Sequence, residues 1–287
     1  MDAPEGAMLT CRKMQVSPRI KLRDARSLVD DDWVLPEEPV PESSLHDLAS
    51  DLLKLLLLAW VARLGRLALP HVGRNLGVHW DKDRPAIGVA PDVLVLDPPP
   101  PEGELDLTSL QLWREGHHPP VLAVEIVSSS RPAKDYVTSP ERYAASGTQE
   151  LWIFDPRLAG PKRDGGPHRL QIWRRGDEDS FERIYAGDGP AFSPAVSGWL
   201  FVVREGHLLR IADDEAGTRW WMTEAEAERA AKKAECAAKE EALRMLEAER
   251  AAKEAERAAK EAERAAKEEA LRRIAELEAE RAANEKR

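Results

Sequence analysis

Two acids stand where acids are costly. Val121 to Val127 reads VLAVEIV, an apolar and largely β-branched run broken only by Glu125. A carboxylate in such a run needs a cation, a proton or hydrogen bonds to compensate its burial. The second acid, Asp92, opens another apolar run in Ala90-Pro91-Asp92-Val93-Leu94-Val95-Leu96. On neighbouring strands, two carboxylates can converge on one divalent cation through hard oxygen ligands. The plainer readings stay open. Glu125 then pairs with Lys134 or Arg142 inside the domain, and Asp92 is a strand-start acid after Pro91.

The elements that must position Glu125 run from Pro119 to Pro156. Pro119 and Pro120 end a loop, and Val121 to Val127 reads as a strand. Ser128, Ser129, Ser130, Arg131 and Pro132 break it. Ser139-Pro140-Glu141 is a helix-start pattern, with Ser as N-cap, Pro at the first helical position and an acid in the first turn. Gly147 is a C-cap candidate. Leu151 to Phe154 is a second apolar strand, closed by Asp155-Pro156. Two apolar strands joined by a helical crossover predict a parallel pair buried on both faces, which puts Glu125 on a central strand.

PDVLVL, AVEIVSSS, KD and RYAASGTQELWIFDP, in that order, resemble the Uma-two family of restriction endonuclease-like proteins, a compact branch of the PD-(D/E)XK nuclease fold. The resemblance covers about His46 to Ile211. It implies an α/β fold, a restriction-endonuclease-like mixed sheet flanked by helices. It also implies a Mg²⁺- or Mn²⁺-dependent phosphodiesterase site acting on DNA, held by Asp92, Glu125 and the Ile126 backbone carbonyl. There is one departure. The usual Lys two residues after the Glu is Val127 here. The family commonly moves that Lys one turn before the Tyr matching Tyr143, and that position is Ser139. Lys134 is the expected substitute. Arg142 could serve only to stabilise charge, because an arginine does not act as a base at neutral pH. Asp135 reads equally as a site hydrogen-bond acceptor or a turn cap, and Tyr143 as helix packing.

The wider chain sets bounds. The 287 residues carry a net charge of −10, 43% hydrophobic residues and nine Trp, enough for a substantial core. The tail from Glu224 contributes −2 and the rest −8, so a basic nucleic-acid footprint is missing. That argues against a tight metal-free DNA complex, not against a metal-bridged one. Two Cys, Cys11 and Cys236, imply no disulfide framework. No signal-peptide pattern opens the sequence, and the longest apolar run, Leu55 to Ala62, is far below the roughly 20 residues of a membrane span. A cytoplasmic protein with no membrane association is expected.

Three regions are expected: an irregular lead-in over 1–41 in which Trp33, Val34 and Leu35 dock on the body, a nuclease-like domain over 42–222, and a helical arm over 223–287. A helix is predicted from Ser43 or Ser44 to about Leu69, with Leu45, Leu48, Leu52, Leu55, Leu56 and Ala59 as its apolar positions. His46, in its first turn, reads as solvent-facing, although the resembled family places a similar His near the cleft. Leu76 to Trp80 and Ala86 to Leu96 read as a hairpin, and Leu110 to Trp113 as a short helix. His117-His118 reads as a surface loop without a third metal ligand. Late strands are expected at His168 to Trp173, Phe181 to Tyr185, Ser197 to Val203 and His207 to Ile211.

The arm repeats a seven-residue frame: ERAAKKA at 228, ECAAKEE at 235, ERAAKEA at 249 and 256, ERAAKEE at 263. Its residues are strong helix formers, and Glu to Lys spacings of four add ion pairs. One long helix projecting from the body is expected, solvated alone or paired in a weak coiled coil that makes a homo-oligomer. Two functions compete. One is a metal-dependent endonuclease using Asp92, Glu125 and Lys134. The other is a non-catalytic nuclease-fold protein that binds or assembles through its arm.

Overall fold

A computed structural model describes residues 18–21, 33–35, 43–101, 107–130, 132–162, 166–176 and 180–285. They fall into two compact units, Met1–Glu224 and Ala225–Arg287. In chain order the elements are β1 (Arg19–Lys21), α1 (Ser44–Arg63), β2 (His71–Gly73), β3 (Gly77–His79), β4 (Val93–Leu96), β5 (Ser109–Gln111), β6 (Leu122–Ile126), α2 (Ser139–Ser146), β7 (Glu150–Phe154), β8 (Leu170–Gly176), β9 (Ser180–Gly187), β10 (Ala191–Ser193), β11 (Gly198–Val203), β12 (Leu208–Ala212) and α3 (Glu224–Glu285).

The first unit is built on a seven-stranded mixed sheet in the order β1-β9-β8-β7-β6-β4-β2. Among the described residues only β6 and β7 run parallel in it, as the helical crossover between them requires. Every residue of β4, β6 and β7 is buried. That explains why their sequences are apolar apart from Glu125 in β6 and Glu150 in β7, since both faces of these strands are covered. One face carries Val93, Val95, Leu122, Val124, Trp152 and Phe154 against Leu53, Leu56, Leu57 and Val61 of α1. The other packs Leu94, Leu96, Ala123, Leu151 and Ile153 under Tyr143, Ala144 and Ala145 of α2. Each buried Leu or Val contributes roughly 1.5–3 kcal/mol. A three-stranded sheet, β10-β11-β12, adds to the α1 side, and the two-stranded pair β3-β5 to the α2 side.

Several sequence expectations are corrected. α1 ends at Arg63, not Leu69, and Gly65 with φ +62° turns the chain away. Its buried face is His46, Ala49, Ser50, Leu53, Leu56, Leu57 and Val61, while Leu48 and Leu55 are half-exposed. Ser43 does cap the helix, accepting from His46 N–H. The predicted hairpin is reduced to an antiparallel bridge, in which Val78 and Val89 exchange two backbone hydrogen bonds. β3 instead pairs in parallel with β5, and β4 pairs with β2 and β6. The short helix expected at Leu110 is strand β5. The lead-in is not wholly irregular, because Arg19–Lys21 pairs with β9 and Trp33 is buried beside Trp80. The rest of it, including Asp30 to Asp32 and Pro36 to Pro39, lies outside the described residues, as does Arg131.

The approach to α2 is helical, not an open loop. Lys134–Thr138 form a π turn in which Ser139 N–H reaches the Lys134 carbonyl. Pro140 accounts for it. Proline has no N–H to donate, and its ring crowds the carbonyl four residues back, that of Tyr136; a widened turn relieves the crowding. Ser139 therefore lies inside a helical run and is not its N-cap. Gly147, with φ +88°, closes α2 as expected.

In the second unit α3 is one 62-residue helix, about 93 Å long at 1.5 Å per residue. Of the pairs expected at Glu249–Lys253, Glu256–Lys260 and Glu263–Lys267, the first two form at 2.5 Å, and Glu228–Lys232 and Glu235–Lys239 at 2.6 Å add the same spacing in earlier repeats. Leu243 and Leu246 take the frame positions that hold Arg250 and Lys253 one repeat later. They lie off the alanine stripe, so leucine and alanine do not make one seam. Leu243, Leu246, Leu271, Ile274 and Leu277 are all exposed. A chain ended after Glu224 is expected to keep one cooperative thermal transition within a few degrees of the full chain. Loss of that transition would contradict a core independent of α3.

Candidate active site

The β4–β6 register pairs Val93 with Val124, and the antiparallel alignment continued by one residue sets Asp92 opposite Glu125. Side chains alternate along a strand, so both acids leave the sheet on the α2 side, next to Leu94 and Ala123. Both are buried. The expected convergence on one face is what the backbone produces.

Asp92 is gripped from two directions. Its Oδ2 accepts the Ile126 backbone N–H at 2.6 Å and lies 3.1 Å from His46 Nε2. Pro91 explains the first bond. Its carbonyl, the ladder partner in line with Ile126, instead accepts from Asn75 N–H, and the Asp92 side chain takes the vacant place. In an extended strand a residue's N–H and C=O point to the same side, so the Ile126 carbonyl also faces the Asp92 strand. His46 is buried at the start of α1, correcting the solvent-facing reading. With both donors on Oδ2, Oδ1 accepts no hydrogen bond among the described residues.

Glu125 Oε1 accepts the Tyr143 hydroxyl at 2.5 Å, so Tyr143 is both packing and a hydrogen-bond partner of the site. Asp135, on the π turn, is buried, accepts from Ser139 Oγ at 3.4 Å and lies 4.0 Å from Lys134 Nζ. Burial pushes the Glu125 carboxyl up to about 8; Lys134 opposes the rise, Asp92 and Asp135 add to it, and the Tyr143 bond opposes it. Burial likewise pushes Asp135 up to about 6, against Lys134. Glu125 in turn holds the Lys134 ammonium above the usual lysine range, although burial works the other way. Lys134 is nevertheless half-exposed, so its ammonium sits at the mouth of an acidic interior.

The structure thus brings Asp92, Glu125, Ile126, Asp135 and Lys134 together. Arg142 is buried with its guanidinium 5.7 Å from the centre of the Trp33 ring, a cation–π placement. His117 is buried rather than on a surface loop, and its Nδ1 accepts Gln111 N–H, while His118 is exposed. Among the described residues no three His, Cys, Asp or Glu side chains form a metal-ligand cluster. The candidate set is two carboxylates and one backbone carbonyl. It is all oxygen, as a hard divalent cation prefers, and its crowded acids are short of positive charge.

A family profile described as "Putative restriction endonuclease", Uma2, matches residues 23–184, more than half of the chain. The chain belongs to the Uma2 family. Asp92, Glu125, Lys134, Asp135 and Tyr143 all fall inside the matched span. A solved structure titled as a "putative nuclease belonging to DUF820" from Anabaena variabilis is similar over 62% of this chain and 90% of its own. Its identity is 16% and its TM-score 0.38, a likeness too loose to build on. No curated protein matches the chain. Among the described residues no helix is long and apolar enough to cross a membrane.

Glu125 binds its proton more tightly in the folded chain, at about 8, than at its ordinary 4.5. The stability it lends is therefore full below 4.5 and is lost as pH rises through about 8. In EDTA, wild type is expected to lose stability relative to Glu125→Gln across that window in paired thermal melts. Parallel curves for the two proteins would show that Glu125 is not the strained acid.

Proposed function

We propose that this Uma2 protein is a metal-dependent endonuclease that hydrolyses DNA phosphodiester bonds. The observation that carries the reading is Asp92 opposite Glu125 on one buried face, with the Lys134 ammonium at its mouth. Asp92, Glu125 and the Ile126 carbonyl would hold Mg²⁺ or Mn²⁺. Such an ion supplies Lewis-acid polarisation of a phosphoryl oxygen and activation of water.

The chain's own groups do the rest. His46 and the Ile126 N–H fix Asp92 by one oxygen and leave the other for the ion. Tyr143 fixes Glu125 in the same way. Lys134, kept charged by Glu125, would stabilise negative charge gathering on the phosphate. A fixed ammonium in a partly dry site is worth more than one in bulk water.

One observation favours a second reading, a nuclease fold that binds or assembles without cutting. Ser139 is buried with its hydroxyl on Asp135, at the position to which the resembled family commonly moves the lysine. In that reading α3 serves association, including a coiled-coil homo-oligomer.

Cleavage of DNA is expected only with Mg²⁺ or Mn²⁺, and is expected to be lost in EDTA and in Glu125→Gln. Lys134→Ala is expected to lower kcat by about two orders of magnitude or more while changing Mn²⁺ affinity by less than about threefold. Cleavage that persists in EDTA contradicts the mechanism. A wild type inactive with every metal and DNA form leaves the binding reading.

A further inference from the structure

A cleft of about 280 Å³ opens where β6 ends. His46 and Ile126, the two residues that grip Asp92, form part of its wall, so it adjoins the candidate metal site. Leu45, Val127 and Pro156 give it apolar surface, and Ser128, Ser129 and Ser130 give it hydroxyls. Arg157 stands at its edge, exposed, and its guanidinium makes no ion pair among the described residues.

The arginine is firmly mounted. Fully buried Asp155 accepts the backbone N–H groups of Arg157 at 3.3 Å, Ala159 at 2.9 Å and Gly160 at 2.8 Å, and the Tyr136 hydroxyl at 2.9 Å. The loop carrying Arg157 is thereby tied to the π turn that carries Lys134 and Asp135. Two of the serines that line the cleft are also hydrogen-bonded. Ser128 and Ser130 bond to each other at 2.7 Å, and Ser130 N–H donates to Ser128 Oγ, while the Ser129 hydroxyl makes no bond among the described residues.

We propose that this cleft holds one unpaired nucleotide of a nucleic-acid strand beside the scissile bond, with Arg157 on its phosphate and Ser129 on its sugar or base edge. This rests on the nuclease reading and gives it a substrate class: single-stranded DNA, or an unpaired end. Three observations converge. An arginine with no ion pair among the described residues, beside an otherwise acidic site, matches a phosphate by its planar fork. Apolar walls and hydroxyls suit a base and a sugar edge, and the volume takes one residue of a strand, not a duplex. The first unit is also too acidic for the many phosphate contacts that hold a duplex, the first 223 residues carrying −8.

The test is binding of a short fluorescent single strand to the full-length protein in Ca²⁺, beside a blunt duplex of the same sequence and a deoxynucleoside monophosphate. The single strand is expected to bind at least about tenfold more tightly than either. Arg157→Ala is expected to weaken it by about tenfold to a hundredfold, the span of a charged hydrogen bond, and Arg157→Lys to recover only part. Ser129→Trp, at an exposed position, is expected to fill the cleft and block the strand. The inference is overturned if the duplex or the mononucleotide binds as tightly as the strand, or if Arg157→Ala and Ser129→Trp leave binding within about twofold of wild type. Its failure is distinct from failure of the nuclease reading. Strand binding lost in Arg157→Ala, with no cleavage under any metal, keeps the cleft and removes the enzyme; cleavage of duplex unaffected by Arg157→Ala does the reverse.

Discussion

Three carboxylates, those of Asp92, Glu125 and Asp135, are buried within each other's fields, with the half-exposed ammonium of Lys134 beside them. Burial away from water disfavours the charged form and neighbouring acids add to the effect, and the rise of Glu125 to about 8 is that response. Such an arrangement is costly in a fold of marginal net stability. A divalent cation held by Asp92 and Glu125 would offset much of that cost. Much of the surrounding architecture reads as holding this cluster in place.

Each acid is held by a different layer. Asp92 is set by a strand start, where Pro91 yields its carbonyl to Asn75 and the Asp92 side chain completes the ladder to Ile126. Glu125 is set by the central parallel strand and by Tyr143 from α2. Asp135 and Lys134 ride on a π turn forced by Pro140, and Tyr136 in the same turn is locked to Asp155. Asp155 also gathers the loop that carries Arg157. A single buried carboxylate therefore couples the position of the lysine to the wall of the neighbouring cleft. Substitution at Tyr136 or Asp155 would move both.

The sequence showed the acids because each interrupts an apolar run that has no other polar member. The β6–α2–β7 crossover was equally plain, punctuated by Pro119, Pro120, Gly147 and Pro156. His46 was misread because α1 carries leucines on nearly every side. Leu48 and Leu55 suggested a face one residue out of phase with the one that packs, where the smaller Ala49 and Ser50 sit. The π turn was hidden by Ser139-Pro140, whose pattern at a helix start is the same as inside a widened turn. Arg157 drew no notice, although an Asp directly after a buried strand, followed by Pro, is a common gatherer of loop N–H groups. The partition of α3 was legible residue by residue, yet the offset between its leucines and its alanines appears only when the seven-residue frames are aligned.

The claim on which the rest turns is that Asp92, Glu125 and the Ile126 carbonyl share one cation. Crystals of the full chain grown with Mn²⁺, with anomalous scattering collected at the manganese edge, would locate the ion directly. The account predicts one strong peak bounded by the two carboxylates and that carbonyl, absent from crystals of Asp92→Ala. A peak elsewhere on the chain, or none at saturating Mn²⁺, would contradict it.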